Sequence, residues 1–425
     1  MGRSSRGIHL IGENESVADC LTQSNRQLYL ATIVKNFLSL CICLVGLTSL
    51  GSQAAILRVG HDKPYATPCA AVEVAKDGDT ILVDPGHYKG DVCEFSQNNL
   101  IIRGVGDRRP HLDADGKIAD NKAIWVVHGS NFTVENIEFS NAHIPADRGN
   151  NAAGIRAAGR DWTVRNCYFH DNQDGILEGN VRNSHILIEY SEFDHNGAGD
   201  GFSHNLYIGH SASLVFRFNY SHDAVVGHLL KTRAAVNYIL YNRFAGLNGS
   251  DSYETNVPNG GTTYFIGNLI EQGPNSQNPA MLDYMSEGIE PGNAGNDLYV
   301  VNNIFVNDLP TGGLFVQIDP QDKVPAVLQN NIFYGGGKVI NQDNAILKSN
   351  FTGDPSFVDV RNGNYHLKPG SPAINAATNP GNSLEEYSLQ PAFQYLPPAC
   401  GQMRLNAKDL GGLAFQAAGE PLHCR

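Results

Sequence analysis

Charged residues are scarce in this chain, where Asp, Glu, Lys and Arg make up 17% of 425 residues. No long segment shows the 3.6-residue apolar spacing of an amphipathic helix, which argues against an all-α fold. Cys-x-x-Cys does not occur, so a zinc site with that spacing is excluded. The net charge of −13 provides no basic footprint for nucleic acid, and we expect no nucleic-acid partner.

Long hydrophobic runs are also missing. The apolar stretch from Phe37 to Leu50 has 14 residues, which is short for a membrane span. Arg26 and Lys35 precede it and Ser52-Gln53-Ala54 follows it, an order typical of a secretory signal. We therefore expect residues 1–54 to be a signal peptide with an N-terminal extension, and the mature protein to be secreted or periplasmic without a stable membrane span. An uncleaved anchor is the alternative.

The chain has eight cysteines, and in an oxidising compartment two pairs of them could form disulfides. Cys69 and Cys93 flank the first expected strand, and Cys400 and Cys424 bracket the C-terminal tail, so that each pair can form a disulfide. Cys167 stands at an inward strand position and is expected to be a buried thiol.

Glycine is abundant (45 residues), and a short strand phrase containing Asn recurs along the chain. Tyr190 and Phe218 stand where two further copies would carry Asn. The copies follow one another at steps of 24 to 35 residues and are these: Val134-Glu135-Asn136-Ile137, Val164-Arg165-Asn166-Cys167, Leu240-Tyr241-Asn242, Ile266-Gly267-Asn268-Leu269, Val301-Asn302-Asn303-Ile304 and Gln329-Asn330-Asn331-Ile332. A strand phrase with this period predicts stacked coils, because one coil alone cannot bury its apolar face. The Asn residues themselves are interpreted as turn residues that hydrogen-bond to one another.

The repeat divides the chain into segments. Residues 55–79 are expected to form an N-terminal cap with a helix over Pro68 to Asp79 that stops at Gly78. Residues 80–375 are the solenoid, beginning with the strand Thr80 to Val83, and residues 376–425 are a C-terminal capping segment whose last part lies near Lys408 to Gly411.

Two terminal motifs resemble a known family. Lys63-Pro64-Tyr65-Ala66-Thr67, Gly78-Asp79-Thr80-Ile81-Leu82-Val83 and Pro85-Gly86-His87-Tyr88 resemble the start of secreted right-handed parallel β-helix proteins of the pectate and alginate lyase-like superfamily. The ending Asp354-Pro355-x-Phe357 with Leu367-x-Pro369-Gly370-Ser371-Pro372-Ala373 is similar to theirs. The resemblance implies an all-β fold, a right-handed parallel β-helix with an N-terminal capping helix. It does not fix a reaction, since the superfamily includes lyases, epimerases, hydrolases and non-catalytic members.

A second strand set precedes the Asn phrases, and its outward residues are expected to form a row on one face. With Leu177, Leu206 and Leu230 placed inward, the row consists of Arg156, Glu178, Tyr207, Lys231, Arg233, Glu254 and Asp283. A register slip of one residue would turn these side chains inward. His204, His210 and His228 lie at the edges of the same strands.

This row contains the groups that β-elimination from a uronate requires: cations for the carboxylate, a base, and a proton donor for the leaving oxygen. We predict Lys231, Arg233, Tyr207 and His204 as catalytic residues, and Arg156, His210 and His228 as substrate-binding residues. Glu178, Glu254 and Asp283 are the candidate ligands of a Ca²⁺ ion. Lys231-Thr232-Arg233 is similar to the Lys-bearing strands of alginate and chondroitin lyase-like families, which implies Lys as base and Arg as acid.

The leading hypothesis is a polysaccharide lyase that acts on an acidic glycan as a monomer, and a C5-epimerase would share the proton abstraction. A pectinase-like hydrolase is disfavoured, because it needs close carboxylates and the sequence has neither Asp-Asp nor Asn-Thr-Asp. The rival from another class is a non-catalytic glycan-binding or surface scaffold, with Lys231 and Arg233 on a solvated face beside Glu178 or Glu254 as counter-ions. Long loops at Gly197 to Ser203 and Gln272 to Gly295 are expected to wall a groove.

Overall fold

A computed structural model describes residues 53–293 and 295–416. Three long parallel sheets dominate it, and each coil of the chain contributes one strand to each sheet in turn. The predicted all-β solenoid is confirmed, and its turns carry the chain from sheet 1 to sheet 2, to sheet 3 and back to sheet 1. The predicted signal segment, apart from Gln53 and Ala54, lies outside the described residues.

Sheet 1 has twelve strands. They are β1 Ile56–Val59, β2 Thr80–Val83, β5 Ile101–Gly104, β8 Thr133–Glu135, β11 Trp162–Arg165, β14 His185–Glu189, β17 Ser213–Arg217, β20 Val236–Leu240, β23 Thr262–Ile266, β26 Leu298–Val301, β29 Val327–Gln329 and β32 Ile346–Lys348. Sheet 2 has eleven. They are β3 His87–Lys89, β6 His111–Asp113, β9 Glu138–Ser140, β12 Tyr168–His170, β15 Glu192–Asp194, β18 Tyr220–His222, β21 Arg243–Ala245, β24 Leu269–Gln272, β27 Ile304–Asn307, β30 Ile332–Gly335 and β33 Phe351–Thr352.

Sheet 3 has ten strands and carries the predicted functional row. They are β4 Cys93–Phe95, β7 Ala123–Val127, β10 Ala153–Ala157, β13 Asp174–Glu178, β16 Leu206–Ile208, β19 Lys231–Thr232, β22 Thr255–Val257, β25 Ala280–Tyr284, β28 Leu314–Ile318 and β31 Lys338–Ile340. Two antiparallel hairpins complete the chain, β34 Phe357–Asp359 with β35 Asn364–Leu367 and β36 Phe393–Leu396 with β37 Cys400–Met403. Short 3₁₀ helices span Ala146–Arg148 and Val360–Asn362.

The turn between sheets 1 and 2 explains the Asn phrase and corrects its alignment. The first residue of this turn has a positive φ and is Asn136, Asn166, Tyr190, Phe218, Tyr241, Gly267, Asn302 and Asn330 in successive coils. The next residue points inward, and from Asn219 onward it is Asn in every coil to Asn350. The Asn phrases of the sequence therefore align two different turn positions with each other. At the first position Asn tolerates the left-handed conformation, and at the second its side chain hydrogen-bonds to neighbouring coils.

The inward Asn residues form a hydrogen-bonded ladder. The Asn242 side chain donates to the Phe216 carbonyl at 2.8 Å, and its oxygen accepts from the Asn219 backbone N–H at 2.9 Å. Its amide also donates to Asn268 Oδ1 at 3.1 Å. The ladder satisfies buried backbone groups in each turn, so the interpretation of these Asn residues as turn residues is confirmed.

Replacing Asn242 by Ala should leave the Phe216 carbonyl and the Asn219 N–H buried without partners. We expect the free energy of unfolding to fall by about 1–3 kcal/mol, measured as a lower urea midpoint. Asn344→Ala is the matched control, because Asn344 is exposed and should change the midpoint very little. An unchanged midpoint for Asn242→Ala would show that the ladder does not contribute to stability.

The core between the sheets is apolar and layered. Phe139, Phe169 and Phe193 occupy one position of sheet 2 in successive coils and stack with ring centroids 5.0 and 5.1 Å apart. Cys167 is fully buried, and burial raises the pKa of its thiol to about 12, so the predicted buried thiol is confirmed.

The N-terminal end differs from its prediction in one respect. The helix α1 spans only Pro68–Val72, with Thr67 Oγ1 accepting the Ala70 N–H as its N-cap. It ends before Gly78 because Asp79 accepts the backbone N–H of Lys76 at 2.8 Å, a local bond that competes with the helix. The strand β1 lies within the predicted cap and pairs with β2, so the solenoid begins at Ile56. The predicted Cys69–Cys93 disulfide is present.

The C-terminal segment runs along the flank of the solenoid rather than over its far end. Phe393 packs edge-on against Phe218, and the Ala392 N–H donates to the Tyr241 hydroxyl at 3.0 Å. Asp409, in the part predicted to cap the end, accepts through its carbonyl from Asn302 at 3.0 Å. The reason is that the left-handed turn residues present aromatic rings outward on this flank, and the segment covers them.

Among the described residues, none of the helices has both the length and the apolar character needed to cross a membrane.

Candidate functional site

Strand register fixes the outward row of sheet 3. Successive coils place Arg156, Leu177, Tyr207, Lys231, Asn256, Asp283 and Gln317 opposite one another. The row predicted from the sequence is therefore correct for Arg156, Tyr207, Lys231 and Asp283. It is wrong for Glu178, where the register is shifted by one residue so that Leu177 points outward instead of inward. It is also wrong for Glu254, which precedes strand β22, so that Asn256, two residues later, occupies the row.

Leu177 lies outward because it completes a small apolar cluster with Ala123, Val126 and Ala153 on the outer face. Glu178 consequently takes the inward register of Ile208 and is buried at the next turn. Its carboxylate accepts the backbone N–H groups of Asn180, Val181 and Gly209, each at 2.9 Å. Glu178 thus holds a turn together, and three strands of the sheet, β16, β19 and β22, lie between its strand and that of Asp283.

Glu254 is also buried, beside Asp251. Burial raises the pKa of Glu254 well above its usual value, and the neighbouring Asp251 adds to this. Burial also raises the pKa of Asp251 to about 6. Burial thus favours the neutral form of both carboxyl groups. Neither Glu178 nor Glu254 is a counter-ion of Lys231 or Arg233.

Four side chains meet where Tyr207 and Lys231 lie side by side in the sheet, and we call them the Lys231 cluster: Tyr207, Lys231, Arg233 and Glu287. Arg233 Nε donates to the Tyr207 hydroxyl at 2.8 Å. The Glu287 carboxylate bridges both cations, with Oε1 at 3.1 Å from Lys231 Nζ and Oε2 at 2.7 Å from an Arg233 terminal nitrogen. Arg233 also donates to Asn259 Oδ1.

The two cations of the Lys231 cluster are shielded from solvent, since the side chains of Lys231 and Arg233 are each 13% exposed. Burial lowers the pKa of Lys231, and the charge of Arg233 lowers it further, while the Glu287 carboxylate opposes both effects. The interpretation of Lys231-x-Arg233 as a solvated strand face is therefore wrong.

Sequence reasoning missed Glu287. It lies in the loop after β25, within the segment Gln272 to Gly295 that was expected to wall a groove, and its side chain is 46% exposed. Glu290 in the same loop pairs with Arg182 at 2.7 Å. The long spacing of 35 residues between the Asn phrases at Asn268 and Asn303 indicated the loop. It could not show which residue of the loop contacts Lys231 and Arg233.

His204 and His228 lie beside the Lys231 cluster, but they are buried. Their rings stack with centroids 4.5 Å apart, and the His204 ring meets the edge of Tyr207. Each Nδ1 accepts a backbone N–H, from His228 and from Tyr253 respectively. Burial lowers the pKa of His204 to about 3 and that of His228 well below its usual value, so that both imidazoles are neutral at physiological pH.

The other predicted binding residues flank the Lys231 cluster. Arg156 lies two coils away in the same outward row and donates to the Glu178 carbonyl at 3.3 Å. His210 Nδ1 lies 3.8 Å from Glu290 Oε2, so His210 faces the loop that carries Glu287. Arg156 therefore lines the outer face of sheet 3, whereas His210 lies in the turn after β16.

The three predicted calcium ligands do not lie together. Asp283 lies two coils from Lys231 in the row, with Asn256 between them. Its oxygens accept hydrogen bonds from Asn256 at 2.5 Å, from Gln317 at 2.7 Å and from Ser286. Ca²⁺ takes six to eight oxygen ligands, whereas Asp283 is the single carboxylate of the predicted trio at this place. The described residues therefore do not form the predicted cage.

Comparisons with known proteins agree with the architecture. A family model described as "Disaggregatase related" matches residues 221–384. The solved structure of pectate lyase Pel9A is similar with a TM-score of 0.58 and 15% identity, over 86% of this chain and 97% of that one. A search of curated proteins found no match.

Two further solved structures are less similar. A pectin methylesterase from Aspergillus niger has a TM-score of 0.35 and 13% identity, over 75% of this chain and 92% of that one. The alginate lyase AlyGC has a TM-score of 0.33 and 13% identity, over 85% of this chain and 57% of that one. The structural comparison therefore rests on Pel9A, and at 15% identity it establishes the fold alone. The chain has a right-handed parallel β-helix fold, which it shares with pectate lyase Pel9A.

Proposed function

We propose that the protein is a polysaccharide lyase that cleaves a uronate-containing glycan by β-elimination at the Lys231 cluster. The supporting observation is that one carboxylate, that of Glu287, spans Lys231 and Arg233 directly beside the Tyr207 hydroxyl. A uronate carboxylate has the same shape and charge and can take the same place. The non-catalytic scaffold hypothesis has no need for this arrangement.

The reaction removes the C5 proton of the uronate and breaks the bond between C4 and its glycosidic oxygen. The C5–H electron pair forms the C4–C5 double bond, and the leaving oxygen takes up a proton. The carboxylate must be neutralised for C5–H to become acidic, because negative charge develops on it in the transition state.

In this proposal Arg233 neutralises the carboxylate, since a guanidinium binds a carboxylate through two parallel hydrogen bonds. Lys231 is the base, because its burial favours the neutral amine once Glu287 has moved away. Tyr207 is the acid: its oxygen already accepts from Arg233 Nε, which leaves its own O–H free to donate to the leaving oxygen. His204 and His228 support the Tyr207 ring and do not transfer protons.

An assay on alginate, pectate and glycosaminoglycans tests the proposal. The purified protein should release oligosaccharides that absorb ultraviolet light through the new double bond, and Arg233→Ala should abolish this signal. A changed sugar stereochemistry without new absorbance would identify an epimerase instead. Binding of a glycan without any chemical change would favour the non-catalytic hypothesis.

The calcium requirement, the monomeric state and secretion stay predictions. Activity that is lost with EDTA and restored with Ca²⁺ would support the calcium requirement. The Cys69–Cys93 disulfide supports an oxidising compartment.

The pH dependence of kcat/KM should reveal Lys231 as the base. Activity should rise with pH through a midpoint below the usual lysine pKa, because the neutral amine is the active form and burial lowers its pKa. Glu287→Gln removes the anion that favours the ammonium, so the midpoint should shift to lower pH. Glu290→Gln is the matched control in the same loop, because Glu290 pairs with Arg182. A midpoint that Glu287→Gln leaves unchanged would remove Lys231 from the role of base.

A further inference from the structure

Histidine and carboxylate side chains also gather on the outer face of sheet 2, away from the Lys231 cluster. His111 on β6, Glu138 on β9 and His170 on β12 come from three successive coils. One nitrogen of each imidazole and an oxygen of Glu138 all lie within 4.8 Å of one another. We propose that these three residues bind a divalent transition metal ion with the preferences of Zn²⁺.

The contacts within the trio direct its ligand atoms to a common point. His170 Nε2 lies 3.1 Å from Glu138 Oε1, and His111 Nδ1 lies 3.6 Å from the same oxygen. The carboxylate therefore stands between two imidazole nitrogens. Two imidazoles and one carboxylate are a recurrent zinc ligand set, which leaves further coordination positions for water.

The opposite nitrogen of each ring has its own partner. His170 Nδ1 lies 2.7 Å from Asp171 Oδ2, and His111 Nε2 lies 2.7 Å from Ser140 Oγ. The His87 ring also stacks on His111 with centroids 4.6 Å apart. Metal-binding histidines characteristically hold their outer nitrogen in this way, because it fixes the tautomer and the direction of the ligand nitrogen.

The trio is accessible to a small ion. The side chains of His111, Glu138 and His170 are 25%, 26% and 17% exposed. Imidazole donors favour transition metals, whereas Ca²⁺ and Mg²⁺ prefer oxygen ligands. A bound ion would join three coils whose ligands are separated by up to 59 positions in the sequence, and should therefore stabilise the N-terminal half of the solenoid.

A second group on the same face, Asp194, His222 and Asp223, also places its ligand atoms close together. Both nitrogens of His222 already face carboxylates, with Asp223 at 2.9 Å, Asp194 at 3.2 Å and Glu192 at 3.3 Å. The positive imidazolium satisfies this group without a metal. The trio differs because it supplies a second imidazole, that of His111, whose opposite nitrogen faces a serine hydroxyl and not a carboxylate. Since imidazole donors favour transition metals, the proposal is limited to His111, Glu138 and His170.

The test uses the full chain after treatment with EDTA and its removal, titrated calorimetrically with Zn²⁺ and, separately, with Ca²⁺ and Mg²⁺. We expect one Zn²⁺ per chain, a higher thermal midpoint with Zn²⁺, and no comparable effect of the other two ions. His111→Ala, His170→Ala and Glu138→Gln should each weaken binding at least about tenfold, and Asp171→Asn about 10- to 100-fold. His185→Ala is the matched control, because His185 also bonds to a serine but lies on sheet 1.

Circular dichroism establishes that each variant is folded, and an anomalous diffraction peak at the zinc edge locates the ion. A peak between His111, Glu138 and His170 supports the proposal. It is overturned by the lack of saturable Zn²⁺ binding, by binding that all three ligand variants retain, or by a peak at Asp194, His222 and Asp223.

Discussion

Replacing Lys231 by Ala should lower kcat on the uronate substrate roughly 100- to 10,000-fold, which is the range that a positioned acid or base contributes. The fold should survive, because the strand β19 keeps its neighbours and the side chain lies on the outer face of sheet 3. The measurement is the initial rate of double-bond formation at saturating substrate, with circular dichroism as the check on folding.

The conservative variant separates two roles of Lys231. Arginine keeps the positive charge but cannot lose its proton at accessible pH. If Lys231 is the base, Lys231→Arg should be as inactive as Lys231→Ala. If it serves only to attract the carboxylate, arginine should restore much of the rate.

Lys338→Ala is the matched control for Lys231→Ala, because Lys338 is an exposed lysine of the same sheet, on β31. It should retain the parent rate. Full activity in Lys231→Ala would remove Lys231 from the mechanism, whereas inactivity of the parent protein on every uronate glycan would instead contradict the proposed reaction. The two failures are therefore distinguishable.

The architecture could be predicted because it depends on repetition. Each coil must place an apolar residue inward at the same point, as Phe139, Phe169 and Phe193 do, and this constraint leaves a period in the sequence. The inward Asn ladder leaves a second signal. The alignment of the Asn phrases is wrong by one residue in some coils. Asn suits both the left-handed turn position and the inward position after it, and the sequence alone does not show which of the two a given Asn occupies.

The candidate site was predicted only in part, for a different physical reason. Tyr207 and Lys231 were placed correctly because both occupy strand positions, where alternation decides direction. Glu178 was misplaced because an apolar residue, Leu177, lies outward and reverses the pattern locally. Glu287 was missed because it lies in a loop, and the conformation of a loop is not indicated by the repeat spacing of the sequence.

The same limits apply to the C-terminal segment, which was expected to cap the far end. It packs into apolar clusters on the flank and bonds to individual side chains there, such as Tyr241 and Asn302. None of these contacts recurs at a fixed spacing in the segment itself. The structure of the solenoid shows why the segment packs on the flank. Tyr190 and Phe218 present stacked aromatic rings there, and covering them removes apolar surface from water.

Replacing Arg243 by Ala should have the largest effect on stability. Arg243 binds the Glu271 carboxylate at 2.6 and 3.0 Å, and Glu271 is fully buried, so the variant leaves a buried charge without its counter-ion. We expect the free energy of unfolding to fall by about 3–5 kcal/mol at neutral pH, measured by urea denaturation. Lys63→Ala is the matched control, because the exposed Lys63–Asp84 pair at 3.6 Å should contribute about 1 kcal/mol or less.

The pH dependence and a double variant test the cause of this loss. Burial already raises the pKa of Glu271, and removing Arg243 takes away the group that opposes this rise. The folded variant should then bind a proton that the unfolded chain releases, so its deficit should shrink as the pH falls toward the usual glutamate pKa. Replacing both residues together, Arg243→Met with Glu271→Leu, should cost much less than Arg243→Ala alone, because no buried charge remains. A double variant as unstable as the single one would mean that the loss comes from contacts other than the ion pair. Such contacts are the Arg243 guanidinium over the Tyr220 ring at 5.2 Å and the Tyr365 hydroxyl, which donates to Glu271 at 3.0 Å.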